Sequence, residues 1–347
     1  MRRLRWDAPL VGAAAAVVLG TIACGGSSQV VSTPVHSSRA NCQEAATGPS
    51  TKLSLATVVS GRVERYALPG SGPTGLVVGR DGSLWISETE SNQLGRLSPS
   101  GAFAQWDLGG SPGFPTIAQD GSLWVPEGSL GAVARVTADG RLAECTLPRP
   151  TANPYGMAAG RDGVLWIAEK DAARIARLTA DGAIAEFELP NGSGDPVSIA
   201  LGPDQNLWFT EGGGGAVGRM TPSGAFSLYN FPGAGFLGTI TAGPDGAMWF
   251  TEFSSGVIGR ITTAGQITEY RIPGGDTSKP NGIVAGPDHA LWFAESGANR
   301  IGQMSVAGQV SLRYVTGDWP DQLAFTADGS LWVTEFKGGE VLRFRPA

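Results

Sequence analysis

The motif Leu/Met-Trp-apolar-x-Glu recurs seven times, with its tryptophan at Trp85, Trp124, Trp166, Trp208, Trp249, Trp292 and Trp332. Successive tryptophans are 39, 42, 42, 41, 43 and 40 residues apart. Every copy carries glutamate three residues later: Glu88, Glu127, Glu169, Glu211, Glu252, Glu295 and Glu335. Six copies carry arginine eleven residues later (Arg96, Arg135, Arg177, Arg219, Arg260 and Arg343), and Gln303 is the exception. A fixed period near 41 residues means one supersecondary unit stacked seven times, because no single copy can bury its apolar face alone.

Each unit divides into four short strands. An apolar run such as 282–285 leads into a turn such as 243–246, where Asp-Gly predicts a two-residue hairpin with both central residues at positive φ. The Trp strand follows, then a loop, the Ile-Gly-Arg-Ile strand, a second glycine turn and a last strand such as 267–270. Four strands in about 41 residues leave no room for helices, which makes each unit a blade of a β-propeller. The 52 glycines and 16% charged residues suit this all-β class. The last repeat lacks its fourth strand, and an unpaired copy of that strand precedes the first tryptophan, at 62–69. Joined to the last repeat, it closes a ring of seven four-stranded blades and removes an exposed sheet edge.

The N-terminus reads as an export signal over residues 1–24. Arg2, Arg3 and Arg5 precede a 14-residue apolar stretch, Leu10 to Ala23, too short to span a bilayer comfortably. Ala23-Cys24 followed by Gly25-Gly26-Ser27-Ser28 resembles a bacterial lipobox, although Leu19 lies five residues before Cys24 instead of three. Lipid attachment at Cys24 is expected, with ordinary cleavage and secretion as the alternative. Either way the chain is exported, and only the lipid would touch the membrane. Residues 25–52, rich in Ser, Thr, Pro and Ala, read as a flexible tether to a propeller at 53–347. Two cysteines then remain, Cys42 and Cys145. Cys145 stands where the other repeats have an aromatic residue (Tyr66, Trp106, Phe187, Tyr229, Tyr270, Tyr314), so the tail is either stapled there or Cys145 is a buried thiol.

The net charge of -6 becomes -8 when Arg2, Arg3, Arg5 and Asp7 are removed with the signal. So acidic a domain argues against nucleic acid as a partner and leaves a monomer with a small ligand or an envelope partner. The repeated Glu and Arg are expected to serve packing, as a partly buried Glu–Arg ion pair in each blade, with Glu295 needing another partner. Function should lie where the repeats differ. The two longer connections of each blade share one face of the ring, and variable loops on a rigid scaffold collect binding residues. The residues before each innermost strand are Thr74, Gly113, Tyr155, Val197, Gly238, Asn281 and Asp321, with Phe114, Phe236, Lys279 and Trp319 around them. They suit a pocket for a modest polar ligand, or they line a water-filled channel. Tyr155, Asn281, Trp319, Asp321 and Thr74 are the candidate ligand-binding residues.

The segments Gly-Pro-Asp-Gly-Ala-Met-Trp-Phe-Thr-Glu (243–252) and Ile-Gly-Arg-Ile-Thr-Thr-Ala-Gly-Gln-Ile-Thr-Glu-Tyr (258–270) closely resemble the virginiamycin B lyase family. The likeness runs from 61 to 345. It implies a seven-bladed propeller and a magnesium-dependent elimination that opens streptogramin B antibiotics at their ester bond without water. It also implies a histidine after proline before each of the last two innermost strands, one the general base and the other a substrate contact, with acidic metal ligands near the last blade. Here those positions read Pro280-Asn281 and Pro320-Asp321, and the acidic residue two before the last histidine is Trp319. Glu335 is the candidate for the remaining metal carboxylate, for Mg2+ or Ca2+ in the channel. The chain has two histidines, His36 in the tether and His289 in a tight turn facing away from the pocket. Asp321, the candidate base, is expected to stay ionised near a water-filled channel and so to be only weakly basic. No Ser/His/Asp set, phosphate loop or Cys/His metal spacing is present. The reading is therefore a non-catalytic binding module at the cell envelope. The alternative is a metal-dependent streptogramin B-type lyase, or a hydrolase like the calcium-dependent lactonase propellers, using the channel carboxylates.

Overall fold

The computed structural model describes residues 21–24, 27–44, 48–55, 57–60, 63–137, 139–161, 163–190, 192, 194–231 and 235–345. The repeats form seven antiparallel sheets of at least four strands, one per repeat. Blade 1 is Pro73–Val78, Leu84–Glu88, Gln93–Leu97 and Ala102–Asp107, and the later repeats follow the same order. The eleven-residue spacing has a direct structural cause. It brings Arg96 opposite Trp85 on the adjacent strand, and likewise Arg135 opposite Trp124, Arg260 opposite Trp249 and Arg343 opposite Trp332. Gln303 occupies that place opposite Trp292. The ring closes as expected: Val63–Ala67 pairs with Glu340–Phe344 in blade 7, with Tyr66 opposite Val341.

Tryptophan fills the space between neighbouring sheets. Trp208 packs with Ile240, Met248 and Phe250 of the next blade, and Trp249 with Ile283, Leu291 and Phe293. The outer-strand aromatics cover the same indoles, with Tyr229 stacked on Trp208, Tyr270 on Trp249 and Tyr314 on Trp292. Burying one such indole fully contributes several kcal/mol, about 3–5 by the cost of truncation.

The tight turns differ from expectation. Gly82 N–H donates to the Gly79 carbonyl and Gly79 N–H to the Ser83 carbonyl, which makes a three-residue loop. Only the glycine takes positive φ, 76° at Gly82. This is a type I turn followed by one left-handed residue, which also suits the sheet twist. Where glycine is missing, Gln205 and His289 adopt that conformation, with φ of 64° and 60°. His289 is exposed, as expected.

The turn aspartate then acts as an acceptor. Asp245 Oδ1 accepts from Trp249 Nε1 at 2.9 Å, and its Oδ2 accepts from Arg260 at 2.6 Å. Asp204 holds Trp208 and Arg219 in the same way, at 3.0 and 2.9 Å. Asp81, Asp120 and Asp328 pair with Arg96, Arg135 and Arg343. In these five blades the repeated arginine therefore pairs with the aspartate four residues before the tryptophan, and not with the repeated glutamate. Geometry decides it: the arginine lies opposite the tryptophan at the turn end of the blade, while the glutamate lies at the other end of the Trp strand. Gln303 keeps the contact by donating to Asp288 at 2.5 Å.

The segment expected to be a flexible tether contributes four short strands among its described residues. Ser27–Val31, His36–Arg39, Asn41–Glu44 and Thr51–Ser54 add to the outer edges of blades 4, 3, 2 and 1, and Thr57–Ser60 to blade 7. An outer strand leaves a row of unpaired backbone groups, and the passing tail pairs with them. Cys42 lies opposite the buried Cys145 and is bonded to it, so the staple is formed. Residues 1–20, most of the expected export signal, lie outside the described residues. Cys24 ends a short strand, Thr21–Cys24.

Candidate functional site

Several of the repeated glutamates hold the loops that carry the mouth of the ring. All seven are fully buried. Glu252 accepts backbone N–H bonds from Gly235, Ser254 and Ser255, at 3.0, 3.0 and 2.7 Å. Gly235 belongs to the loop that enters the innermost strand of the same blade. Glu127 takes Gly110 N–H at 3.2 Å, and Glu335 takes Asp318 N–H, in equivalent loops. Glu295, without the repeat arginine on its neighbour strand, pairs with Arg300 at 2.8 Å. A hydroxyl two residues after the tryptophan then pins the mouth residue of the next blade. Ser87 donates to the Gly113 carbonyl, Thr210 to Gly238 and Thr251 to Asn281, at 2.7, 2.6 and 2.6 Å.

The candidate residues separate into two groups. Thr74 is buried and committed to the scaffold: its hydroxyl shares a 2.5 Å hydrogen bond with Thr89, and its carbonyl accepts from Thr334. Asn281 and Asp321 meet directly, Asn281 Nδ2 donating to Asp321 Oδ1. Asp321 is only 6% exposed. Burial pushes its carboxyl up to about 7, against the lowering effect of the Asn281 hydrogen bond. The expectation of an ionised, weakly basic Asp321 is therefore corrected: the proline-flanked strand start seats it among other groups, out of bulk water.

Tyr155 stacks edge-on against Phe114, with centroids 4.9 Å apart, and Lys170 Nζ lies 5.6 Å over its ring. Burial first and then the charge of Asp321 push its phenol well above the usual range. A pocket of about 430 Å³ beside Tyr155 is lined also by Pro112, Ser129, Thr151, Asn153 and Lys170. Below the mouth lies a cavity of about 140 Å³ between Leu76, Phe114, Met157, Ile199 and Ile240. Gln322 crosses it to donate to Thr239 Oγ1 at 3.0 Å.

Opposite Tyr155, a second aromatic group spans blades 5 to 7. Phe236 meets Phe253 at 6.3 Å, and Phe253 meets Trp319 at 6.5 Å. Lys279 Nζ lies 5.6 Å from the Phe253 ring and 5.7 Å from the Trp319 ring, and Lys337 Nζ lies 4.0 Å over Trp319. Trp319 holds φ 64°, and its N–H donates to Asn299 Oδ1 at 2.9 Å.

A divalent metal does not fit this donor set. Among the described residues no group of three or more His, Cys, Asp or Glu is placed to hold one. Glu335 is a loop anchor occupied by the Asp318 and Gly317 N–H groups, and burial raises its carboxyl.

The family model for the virginiamycin B lyase family matches residues 52–236 and 195–347, nearly the whole ring. The chain belongs to the virginiamycin B lyase family. A streptogramin B lyase structure is 33% identical, covering 81% of this chain and 96% of its own, with a TM-score of 0.77. The virginiamycin B lyase of Staphylococcus aureus is 34% identical, with 82% and 99% covered and a TM-score of 0.77. A catalytically inactive variant of that lyase, solved with quinupristin, matches equally. No curated protein sequence matches. Lys337, Phe253 and Gln322 went unrecognised in the sequence. The signal for Lys337 was the scarcity of lysine, four in the chain, of which three follow or enter mouth loops.

Proposed function

We propose that this member of the virginiamycin B lyase family is an exported ligand-binding propeller, held at the cell envelope by a lipid on Cys24, and that it does not open streptogramin B rings. The observation that supports this reading is the hydrogen-bonded Asn281–Asp321 pair, standing where the resemblance implies two histidines. An amide cannot take up a proton at neutral pH, so one of the two groups is lost to proton transfer. The second support is that, among the described residues, no group of three or more His, Cys, Asp or Glu is placed to hold a metal. The ligand would sit over the mouth, between the Tyr155 and Trp319 sides, with the pinned backbone of the ring beneath it.

Quinupristin, present with the inactive relative, is the natural probe. Incubated with this protein and magnesium, it is expected to remain intact by mass spectrometry. One observation favours a second reading. Burial brings Asp321 close to neutrality, the range in which a carboxylate can act as a general base. Ring opening that Asp321→Asn abolishes would establish this alternative and end the binding-module reading.

A further inference from the structure

Resting on the binding reading, we infer that the mouth selects an anionic ligand with a flat apolar body, of the aromatic carboxylate class. The chain is acidic, with a net charge of -6, and has only four lysines. Three of them, Lys170, Lys279 and Lys337, lie over aromatic rings at the mouth. Lys279 and Lys337 both approach the Trp319 indole, so two ammonium groups gather at one ring on the same side of the ring opening.

These lysines lack the carboxylate partner that most of the repeated arginines have. Among the described residues none of the three forms an ion pair with a carboxylate, whereas Arg219, Arg260 and Arg300 each have one within 2.9 Å. Carboxylates near them are already engaged: Asp171 by Asn153 and Glu340 by Arg65. Asp276 and Asp318 are exposed. An aromatic face attracts an ammonium group through its quadrupole but supplies no oxygen acceptor. Each lysine therefore keeps donors for an oxyanion, and Phe236, Phe253 and Trp319 offer a surface for a planar body. Gathering cations around a mouth in an otherwise acidic protein also steers anions to it.

The test is calorimetric titration of the full chain with 2-naphthoate and its neutral isostere 2-naphthamide. The acid should bind about tenfold more tightly than the amide, as two partly solvated ammonium contacts allow. The Lys279→Gln/Lys337→Gln double variant should erase that preference and leave the unfolding midpoint close to the parent's. Lys52→Gln, away from the mouth, should keep the preference. Equal binding of acid and amide, or a preference surviving in the double variant, overturns the inference while leaving a binding pocket in place. If neither compound binds, the anion inference fails, and calorimetric titration with quinupristin judges the binding reading separately.

Discussion

On the turn face of the ring, Arg96, Arg135, Arg219, Arg260 and Arg343 each lie over a tryptophan and against an aspartate. On the mouth face, Lys170, Lys279 and Lys337 also lie over aromatic rings, but among the described residues none of them forms an ion pair with a carboxylate. The same pairing of cation and ring is closed on one face and open on the other. The repeated cation meets its carboxylate within its own blade, and the cation that occurs only once forms no ion pair among the described residues. Repetition therefore marks the scaffold, and departure from it marks the surface available to a ligand.

The comparison is broken or sharpened most strongly at its two kinds of indole. Trp249 is fully buried between blades, so Trp249→Ala should cost about 3–5 kcal/mol in denaturant unfolding. Trp319, partly exposed at the mouth, should cost about 1 kcal/mol or less on the same change while weakening ligand binding. Similar losses at both sites would mean that the mouth is scaffold after all.

Acidity separates the faces next. Burial raises Asp321 and Glu88 to about 7, and burial followed by Glu186 raises Glu169 to about 8. These groups hold protons in the folded chain that the unfolded chain has already released, so stability falls as pH rises from about 4 to about 8. On the turn face burial raises Asp245, but hydrogen bonds from Trp249 and Arg260 outweigh it and hold the carboxyl below its usual range. Its contribution is present above about pH 4 and is lost as pH falls further. The thermal midpoint should therefore be higher at pH 5 than at pH 8. Asp321→Asn should narrow that difference, by up to about 3 kcal/mol of stability. A midpoint that rises steadily to pH 8 would show that these carboxyls ionise freely.

The smallest effect should come from the repeated pair. The Arg260 and Asp245 side chains are 23% and 16% exposed. Arg260→Gln should cost about 1 kcal/mol or less in denaturant unfolding, since glutamine can keep the aspartate contact as Gln303 does with Asp288. A loss comparable to that of Trp249→Ala would make the pair more than an accessory to the indole.

Blade number, strand order and ring closure were legible in the sequence because each rests on periodicity, which survives without a view of contacts. Partners were harder to read. Recurrence alone points the arginine to the glutamate, yet the aspartate four residues before each tryptophan recurs equally, and strand register alone chooses between them. The environment of Asp321 is hidden from the sequence for a related reason: burial at the mouth comes from several blades at once, and no single repeat reveals it. The tail was read as a tether from its composition. Backbone pairing along an existing edge needs little from side chains, so composition gave no warning of it.

The path of that tail determines where a load applied at its N-terminal end would travel. Coming from that end, tension meets the strands on blades 4 and 3, which can be peeled one after another. It then reaches Cys42, bonded to Cys145 of blade 2, and passes through that bond into the body of the ring. The strands beyond it, on blades 1 and 7, and the closing strand Val63–Ala67 lie on the slack side. A propeller hung by its N-terminus is thus gripped at a blade flank, while the noncovalent seam that keeps it circular carries none of the weight.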